Sequence, residues 1–169
     1  MNKPTIYLNN LAAYVQGRMV GREIELPIKP SELEQIEKQI LNDGGGEEIT
    51  IAHANFPISE YADYKKYNEL FLYAEEMGLI DDVLLLVKCY PGHAPEELLA
   101  KLENSAYSLI EAEDDENLGY FVVEEGYIPE ATTIKSIPEG YIDFEAIGRD
   151  FRINNNAQYL EGKCIYLNV

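Results

Sequence analysis

Alternating hydrophobic and polar residues near the start of the chain predict a small antiparallel sheet. Over residues 22–28, isoleucine and leucine alternate with charged side chains, which is typical of a half-buried strand. Pro27 lacks a backbone N–H and therefore favours an edge position for this strand. Two further strands are predicted at residues 6–8 and 49–53.

Apolar residues with helical spacing lie between the strands predicted at 22–28 and 49–53. Apolar residues recur every three or four positions over residues 33–41, and this predicts an amphipathic helix that is stopped by the run Asn42-Asp43-Gly44-Gly45-Gly46. Ser31 is followed three residues later by Glu34, a spacing that predicts a capping box at the start of the helix.

Residues 64–105 keep the helical period and predict three helices. The first is expected to end at Gly78, because glycine is favoured just after a helix. The acidic pair at 81–82 marks the start of the second helix. Pro95 fits the first position of the third, where its missing N–H costs nothing.

The last third of the chain mixes both periods and predicts two helices packed with a small sheet. The predicted order is a strand at 107–110, a helix from Asp114 or Asp115 to Glu125, an irregular connection over 127–140, a helix at about 143–151 and a hairpin around Glu161 and Gly162.

The predicted fold class is therefore α+β, and a chain of 169 residues could form one ordinary domain or two to three small ones. Residues 1–61 form a three-stranded antiparallel sheet with a helix, and residues 62–105 form a small helical bundle. Residues 106–169 form a small antiparallel sheet with helices.

Charge changes this picture from a generic small protein to a strongly acidic one. The 169 residues include 31 acidic and 13 basic ones, which gives a formal net charge of −18. Residues 111–145 hold eleven acidic side chains and one base, Lys135, yet apolar residues recur among them at helical spacing. This segment is predicted to be a folded surface held at high negative charge density, and such density destabilises the compact state through self-repulsion.

Composition also limits the partners and the compartment. Direct nucleic-acid binding is not expected, because it requires positive charge that displaces counterions from the phosphates. No run of about 20 apolar residues is present to span a membrane, and the opening residues lack the apolar segment of a secretory signal. Cys89 and Cys164 have no metal-like spacing, so we expect two reduced thiols in a cytoplasmic protein without a cofactor.

An enzymatic alternative rests on the same carboxylates. Paired acids support general acid–base or metal-dependent hydrolysis, so a metal-binding protein or hydrolase built on residues 111–145 is the second hypothesis. The spacing from Glu111 resembles a calcium loop, but its sixth position is Glu116 instead of glycine and its twelfth is Val122 instead of glutamate.

Both ends of the chain resemble the ArdA antirestriction proteins. The opening Ile6-Tyr-Leu-Asn-Asn-Leu, with Tyr14, Gly17 and the strand ending at Leu26-Pro27, is similar to the family's start. The closing Tyr141-Ile-Asp-Phe-Glu-Ala-Ile-Gly-Arg-Asp-Phe is the more specific match. The middle of the chain matches the family in the order of its elements.

The resemblance implies a DNA mimic and not an enzyme. Members of the family are elongated dimers with three small domains in a row, and they block the DNA-binding groove of Type I restriction–modification enzymes. Carboxylates between residues 69 and 130 are expected to imitate the phosphates of bent B-DNA: Glu69, Glu75, Glu76, Asp81, Asp82, Glu96, Glu97, Glu103, Glu111, Glu113, Asp114, Asp115, Glu116, Glu124, Glu125 and Glu130.

A homodimer contact is expected in the C-terminal part of the chain. Residues 146–169 carry a net charge of +1, whereas the preceding parts repel their own copy. The apolar side chains expected to form the contact are Phe151, Ile153, Tyr159, Leu160, Ile165, Tyr166 and Leu167.

Overall fold

The computed structural model describes residues 3–168, which form an α+β fold. This part of the chain contains two three-stranded antiparallel sheets and eight α-helices. The chain divides into two compact units, Met1–Leu99 and Ala100–Val169. The row of three domains remains a prediction, and its outermost residues, 1, 2 and 169, lie outside the described residues.

The first unit contains the predicted N-terminal sheet. Its strands are β1 (Thr5–Asn10), β2 (Gly21–Glu25) and β3 (Ile49–Ala54), in the order β2-β1-β3. β2 lies at an edge, as expected, and pairs Ile24 with Ile6, but it ends at Glu25, so Pro27 lies outside the strand that was predicted to contain it. Leu8 of the central strand is fully buried, so the core of this unit lies against the sheet.

Helix α2 (Pro30–Gly44) confirms the amphipathic pattern but not the predicted capping box. Leu33, Ile36 and Ile40 are buried on one face. The helix begins at Pro30, one residue before Ser31, and its N-terminus has no side-chain cap. Proline takes the first helical position because its fixed φ suits a helix and its absent N–H would be unpaired there anyway.

A short helix, α1 (Leu11–Val15), follows β1, and the sequence analysis did not predict it. Asn10 accounts for it. The side-chain oxygen of Asn10 accepts a hydrogen bond from the Ala13 N–H (2.9 Å), and its amide donates to the Gly45 carbonyl (2.7 Å). One buried side chain thus caps α1 and holds it against the end of α2.

Three helices complete the middle of the chain: α3 (Tyr64–Met77), α4 (Ile80–Cys89) and α5 (Pro95–Glu103). Gly78 ends α3 with φ of 72°, as predicted. Asn68 of α3 is almost fully buried. Its amide oxygen accepts from the Ile28 N–H and its amide nitrogen donates to the Ile28 carbonyl, both at 2.8 Å.

The second unit contains β4 (Tyr107–Glu111), β5 (Gln158–Leu160) and β6 (Lys163–Leu167), in the order β4-β6-β5. The predicted hairpin is confirmed, because β5 and β6 pair and both turn residues have positive φ (53° at Glu161 and 78° at Gly162). The connection over 127–140 also contains α7 (Ala131–Ile134) and a 3-10 helix (Glu139–Tyr141), neither of which was predicted.

Helices α6 (Asp115–Glu124) and α8 (Phe144–Asn154) cross at very short range in this unit. A Cβ atom at Gly119 would overlap the backbone oxygen of Phe144, and one at Gly148 would overlap the backbone oxygen of Asp115. Leu118 and Val122 of α6 pack with Phe151 of α8 in the core below this crossing.

Candidate acidic interaction surface

The sixteen carboxylates expected to imitate phosphates are almost all at the surface. Fourteen are exposed, whereas Asp82 and Asp115 are half-buried. Seven belong to Met1–Leu99 and nine to Ala100–Val169. Acidic residues outside the predicted set, such as Glu23, Glu34 and Glu145, are exposed as well. The acidic surface is therefore wider than the sequence analysis predicted.

Negative charge is divided evenly between the two units. Met1–Leu99 has 17 acidic and 8 basic residues, and Ala100–Val169 has 14 acidic and 5 basic residues. Each unit therefore carries a formal net charge of −9. Because the second unit has fewer residues, its charge per residue is higher.

The densest group of acids surrounds the N-terminus of α6. Asp114 caps the helix, since its carboxylate accepts hydrogen bonds from the Asn117 N–H (2.8 Å) and the Asn117 side chain (2.7 Å). The backbone hydrogen bond from Asn117 is the main reason that the pKa of Asp114 is lowered. Asp115 and Glu116 occupy the first turn, where the helix dipole favours negative charge.

Asp115 differs from its neighbours because its carboxylate already has partners inside the unit. Arg152 donates two hydrogen bonds to it, from Nε (2.7 Å) and Nη2 (3.1 Å), and the Tyr159 hydroxyl donates a third (2.8 Å). The Arg152 hydrogen bond lowers the pKa of Asp115. Burial, followed by the hydrogen bond to Asp115, raises the pKa of Tyr159.

These groups line one depression of about 510 Å³ in the second unit. Its walls are formed by Glu113, Asp114, Asp115, Glu116, Glu145, Arg152 and Tyr159. Arg152 is thus a cation placed among carboxylates. The sequence does not reveal this arrangement, because Arg152 lies 37 positions from Asp115.

Three expected carboxylates are paired with lysines at the surface. The nitrogen–oxygen distances are 3.3 Å for Lys66–Glu69, 3.6 Å for Lys135–Glu124 and 2.6 Å for Lys163–Glu111. Exposed pairs of this kind contribute only about 0–1 kcal/mol. These three carboxylates can therefore exchange their lysine for a cation of a binding partner.

The side chains expected at the dimer contact fall into two groups. Phe151, Ile165 and Tyr166 are buried inside their own unit, so they do not present a contact surface. The sheet and α8 use these three side chains for their own core. Ile153 is 62% exposed, whereas Tyr159, Leu160 and Leu167 are half-buried.

Further exposed apolar residues in this unit were not among those expected at the dimer contact. They are Tyr120, Tyr127, Ile137 and Tyr141, of which Tyr141 is 85% exposed. Tyr120 stacks on the Phe144 ring with centroids 3.8 Å apart.

No group of three or more His, Cys, Asp or Glu side chains able to hold a metal ion occurs within residues 3–168. The metal-dependent alternative therefore gains no support from the described part of the chain. None of the helices between these bounds is both long and apolar enough to cross a membrane.

Fold and surface together define a strongly acidic α+β protein whose carboxylates are mostly exposed. A model of the ArdA antirestriction proteins matches residues 6–166, nearly the whole chain. The chain therefore belongs to the ArdA antirestriction protein family, and this membership implies an antirestriction function. A search of curated proteins gave no match.

Proposed function

We propose that this protein inhibits Type I restriction–modification enzymes by occupying their DNA-binding groove as a mimic of bent B-DNA. The observation that carries the proposal is the exposure of fourteen of the sixteen expected carboxylates. They are fixed on helices, on strand β4 and on adjoining turns, whereas a flexible acidic tail would lose conformational entropy on binding. The protein acts by binding and not by catalysis.

The quantity of charge suits this role. Duplex DNA carries one negative charge per about 1.7 Å of its axis, so a net charge of −18 matches the charge on roughly 30 Å of duplex. Two copies match about twice that length. The same charge attracts a basic groove from a distance, and salt screens this attraction.

The protein acts in this proposal as an elongated homodimer, as the family resemblance implies. Of the seven expected contact residues, the four that reach the surface are Ile153, Tyr159, Leu160 and Leu167. Ile153 is the most exposed of them and offers the clearest test.

Ile153→Glu should weaken self-association, because it places a charge in the contact and adds repulsion between two acidic copies. Met77→Glu is the matched control, since Met77 is similarly exposed (56%) in the other unit. Sedimentation velocity over a range of protein concentrations measures the effect. If both variants associate equally well, the contact lies elsewhere.

The direct test of groove occupation uses a purified Type I enzyme with a fluorescent DNA duplex that contains its recognition site. Addition of this protein should lower the anisotropy of the labelled DNA to the value of free duplex. An unchanged anisotropy at saturating protein would overturn the proposal.

A further inference from the structure

Arg152 is a basic residue at the centre of the densest acidic group of the second unit. Its guanidinium binds Asp115 through two hydrogen bonds and lies 5.7 Å from the centre of the Tyr159 ring. Tyr159 donates to the same carboxylate. One aspartate is thus held by two side chains from α8 and β5, elements that follow it in the chain.

The backbone of Asp115 is held by the same helix. Gly148 and Arg152 lie one turn apart on α8, and the backbone oxygen of Asp115 lies where a Cβ on Gly148 would be. Gly148 thus allows the close approach, and Arg152 fixes the side chain. Both act at the first residue of α6, directly beside the N-cap Asp114.

Three other carboxylates lie next to Asp115 in the chain. Glu113 and Asp114 precede Asp115, Glu116 follows it, and all three are exposed. Like charges on neighbouring residues repel one another, and this repulsion favours fraying of the first turn. An internal cation that binds the central aspartate opposes that fraying.

We propose that Arg152, assisted by Tyr159, is a positioning residue that holds the carboxylates of Glu113, Asp114 and Glu116 in the arrangement that the target groove binds. The inference rests on the proposed function. It predicts that removal of Arg152 weakens binding to a basic groove. Net charge alone predicts the opposite, because an acidic mimic becomes more acidic when it loses a cation.

The experiment compares Arg152→Gln with Arg149→Gln in the DNA-displacement assay. Both variants lose one positive charge and have a net charge of −19. Arg149 is an exposed arginine of the same helix, and it affects Asp115 through its charge alone. Affinity is measured at several salt concentrations, and stoichiometric titration gives the active fraction of each protein.

We expect Arg149→Gln to bind as well as the wild type or better, by up to about fivefold, the size of a single exposed charge pair. Arg152→Gln should bind roughly two- to tenfold more weakly, because carboxylates that are no longer held in place pair with fewer cations of the groove. Its dependence of log affinity on log salt should also be shallower, since fewer pairs form together. Partial unfolding would lower the active fraction but leave this slope unchanged.

Two more conservative substitutions test the role of Arg152 and Tyr159 if Arg152→Gln does not fold. Arg152→Lys keeps the charge but loses the two-pronged hydrogen bond, and Tyr159→Phe removes only one hydroxyl. Both should bind more weakly than the wild type. The inference is overturned if these variants equal the wild type, or if a folded Arg152→Gln equals or exceeds Arg149→Gln. Failure of the wild type itself to displace DNA would overturn the proposed function instead.

Discussion

Buried asparagine amides connect segments of the first unit that hydrophobic contacts alone would not align. Asn68 satisfies both backbone polar groups of Ile28, 40 positions away. This contact fixes the segment that leaves the edge strand β2 against helix α3. Such a bond has no periodic signature, so the sequence placed Asn68 in a helix without indicating its partner.

Asn68→Ala should destabilise the protein, because it leaves the N–H and carbonyl of Ile28 without their partner. The cost for buried unpaired groups is about 1–3 kcal/mol. Urea unfolding measures this loss, and hydrogen exchange at the Ile28 amide should accelerate. Asn42→Ala, at an exposed position of α2, is the control and should change stability by less than about 0.5 kcal/mol. Equal stabilities for the two variants would contradict this role of Asn68.

Asp115 gives a second prediction, which concerns acid pH. The hydrogen bond from Arg152 holds the pKa of the folded Asp115 carboxyl below its ordinary value of 3.8. The folded state therefore favours the ionised form. This contribution to stability is fully present above the unfolded pKa and is lost as the pH falls through the folded pKa.

Asp115→Asn should consequently be less stable than the wild type at neutral pH, and the difference should shrink as the pH falls below about 4. Urea unfolding of both proteins over that range provides the measurement. A constant difference in unfolding free energy across the acid range would contradict the assigned role of the Asp115–Arg152 pair.

At the scale of elements, the crossing of α6 and α8 organises the second unit. Gly119 and Gly148 allow the two backbones to touch, and this contact brings the N-terminus of α6 to Arg152. The arrangement that carries the acidic group thus depends on residues without side chains.

Gly148→Ala should strongly destabilise this unit, because the new methyl group would overlap the backbone oxygen of Asp115 and the helices would have to separate. Overpacking in cores costs about 1–3 kcal/mol, and we expect the upper end here, since backbone cannot move aside like a side chain. Thermal unfolding measures the loss.

Gly140→Ala is the control for this substitution, as nothing lies within 4 Å of a Cβ at Gly140. It should leave the unfolding temperature nearly unchanged. If Gly148→Ala were equally harmless, the close crossing of the helices would be wrong.

Local patterns predicted most elements, and tertiary contacts explain the remainder. Alternation found the strands, while Gly78, Asp114 and Gly162 marked ends and turns, because their chemistry acts within a few residues. Helix α1 was missed because the hydrogen bonds that hold it against α2 run from Asn10 to residues 30 and 35 positions away, and no local pattern indicates them. The capping box was wrong because Pro30 starts the helix first.

At the scale of the whole molecule, sequence predicts the quantity of charge far better than its geometry. Net charge follows from composition, and exposed carboxylates follow from the cost of burying them. The contact between Asp115 and Arg152 depends on how two helices cross, which no local pattern encodes. For the same reason, Phe151, Ile165 and Tyr166 were expected at a dimer surface but lie in the core.

If binding depends on charge distributed over many carboxylates, inhibition should weaken gradually as more of them are neutralised. Glu113→Gln alone should leave inhibition nearly intact, because one exposed pair contributes about 0.2–1 kcal/mol. Joint replacement of Glu113, Glu116, Glu125 and Glu130 by glutamine should cost about 1–4 kcal/mol if the pairs add. All four are exposed, and none is the N-cap of α6.

A second quadruple variant controls for net charge alone. It replaces Glu23, Glu34, Glu47 and Glu48, which are exposed acids of the first unit outside the expected set. It should weaken inhibition less than the first variant does. If one carboxylate proved indispensable while its neighbours were silent, the surface would be a discrete site and not a mimic.

Mutual exclusion between this protein and DNA on a Type I enzyme tests the central claim most directly. In a titration at fixed enzyme concentration, the apparent dissociation constant of the protein should rise in proportion to the concentration of DNA that contains the recognition site. Its logarithm should also rise linearly with log salt concentration. A ternary complex of enzyme, DNA and this protein, or an affinity that is independent of DNA concentration, would contradict the account.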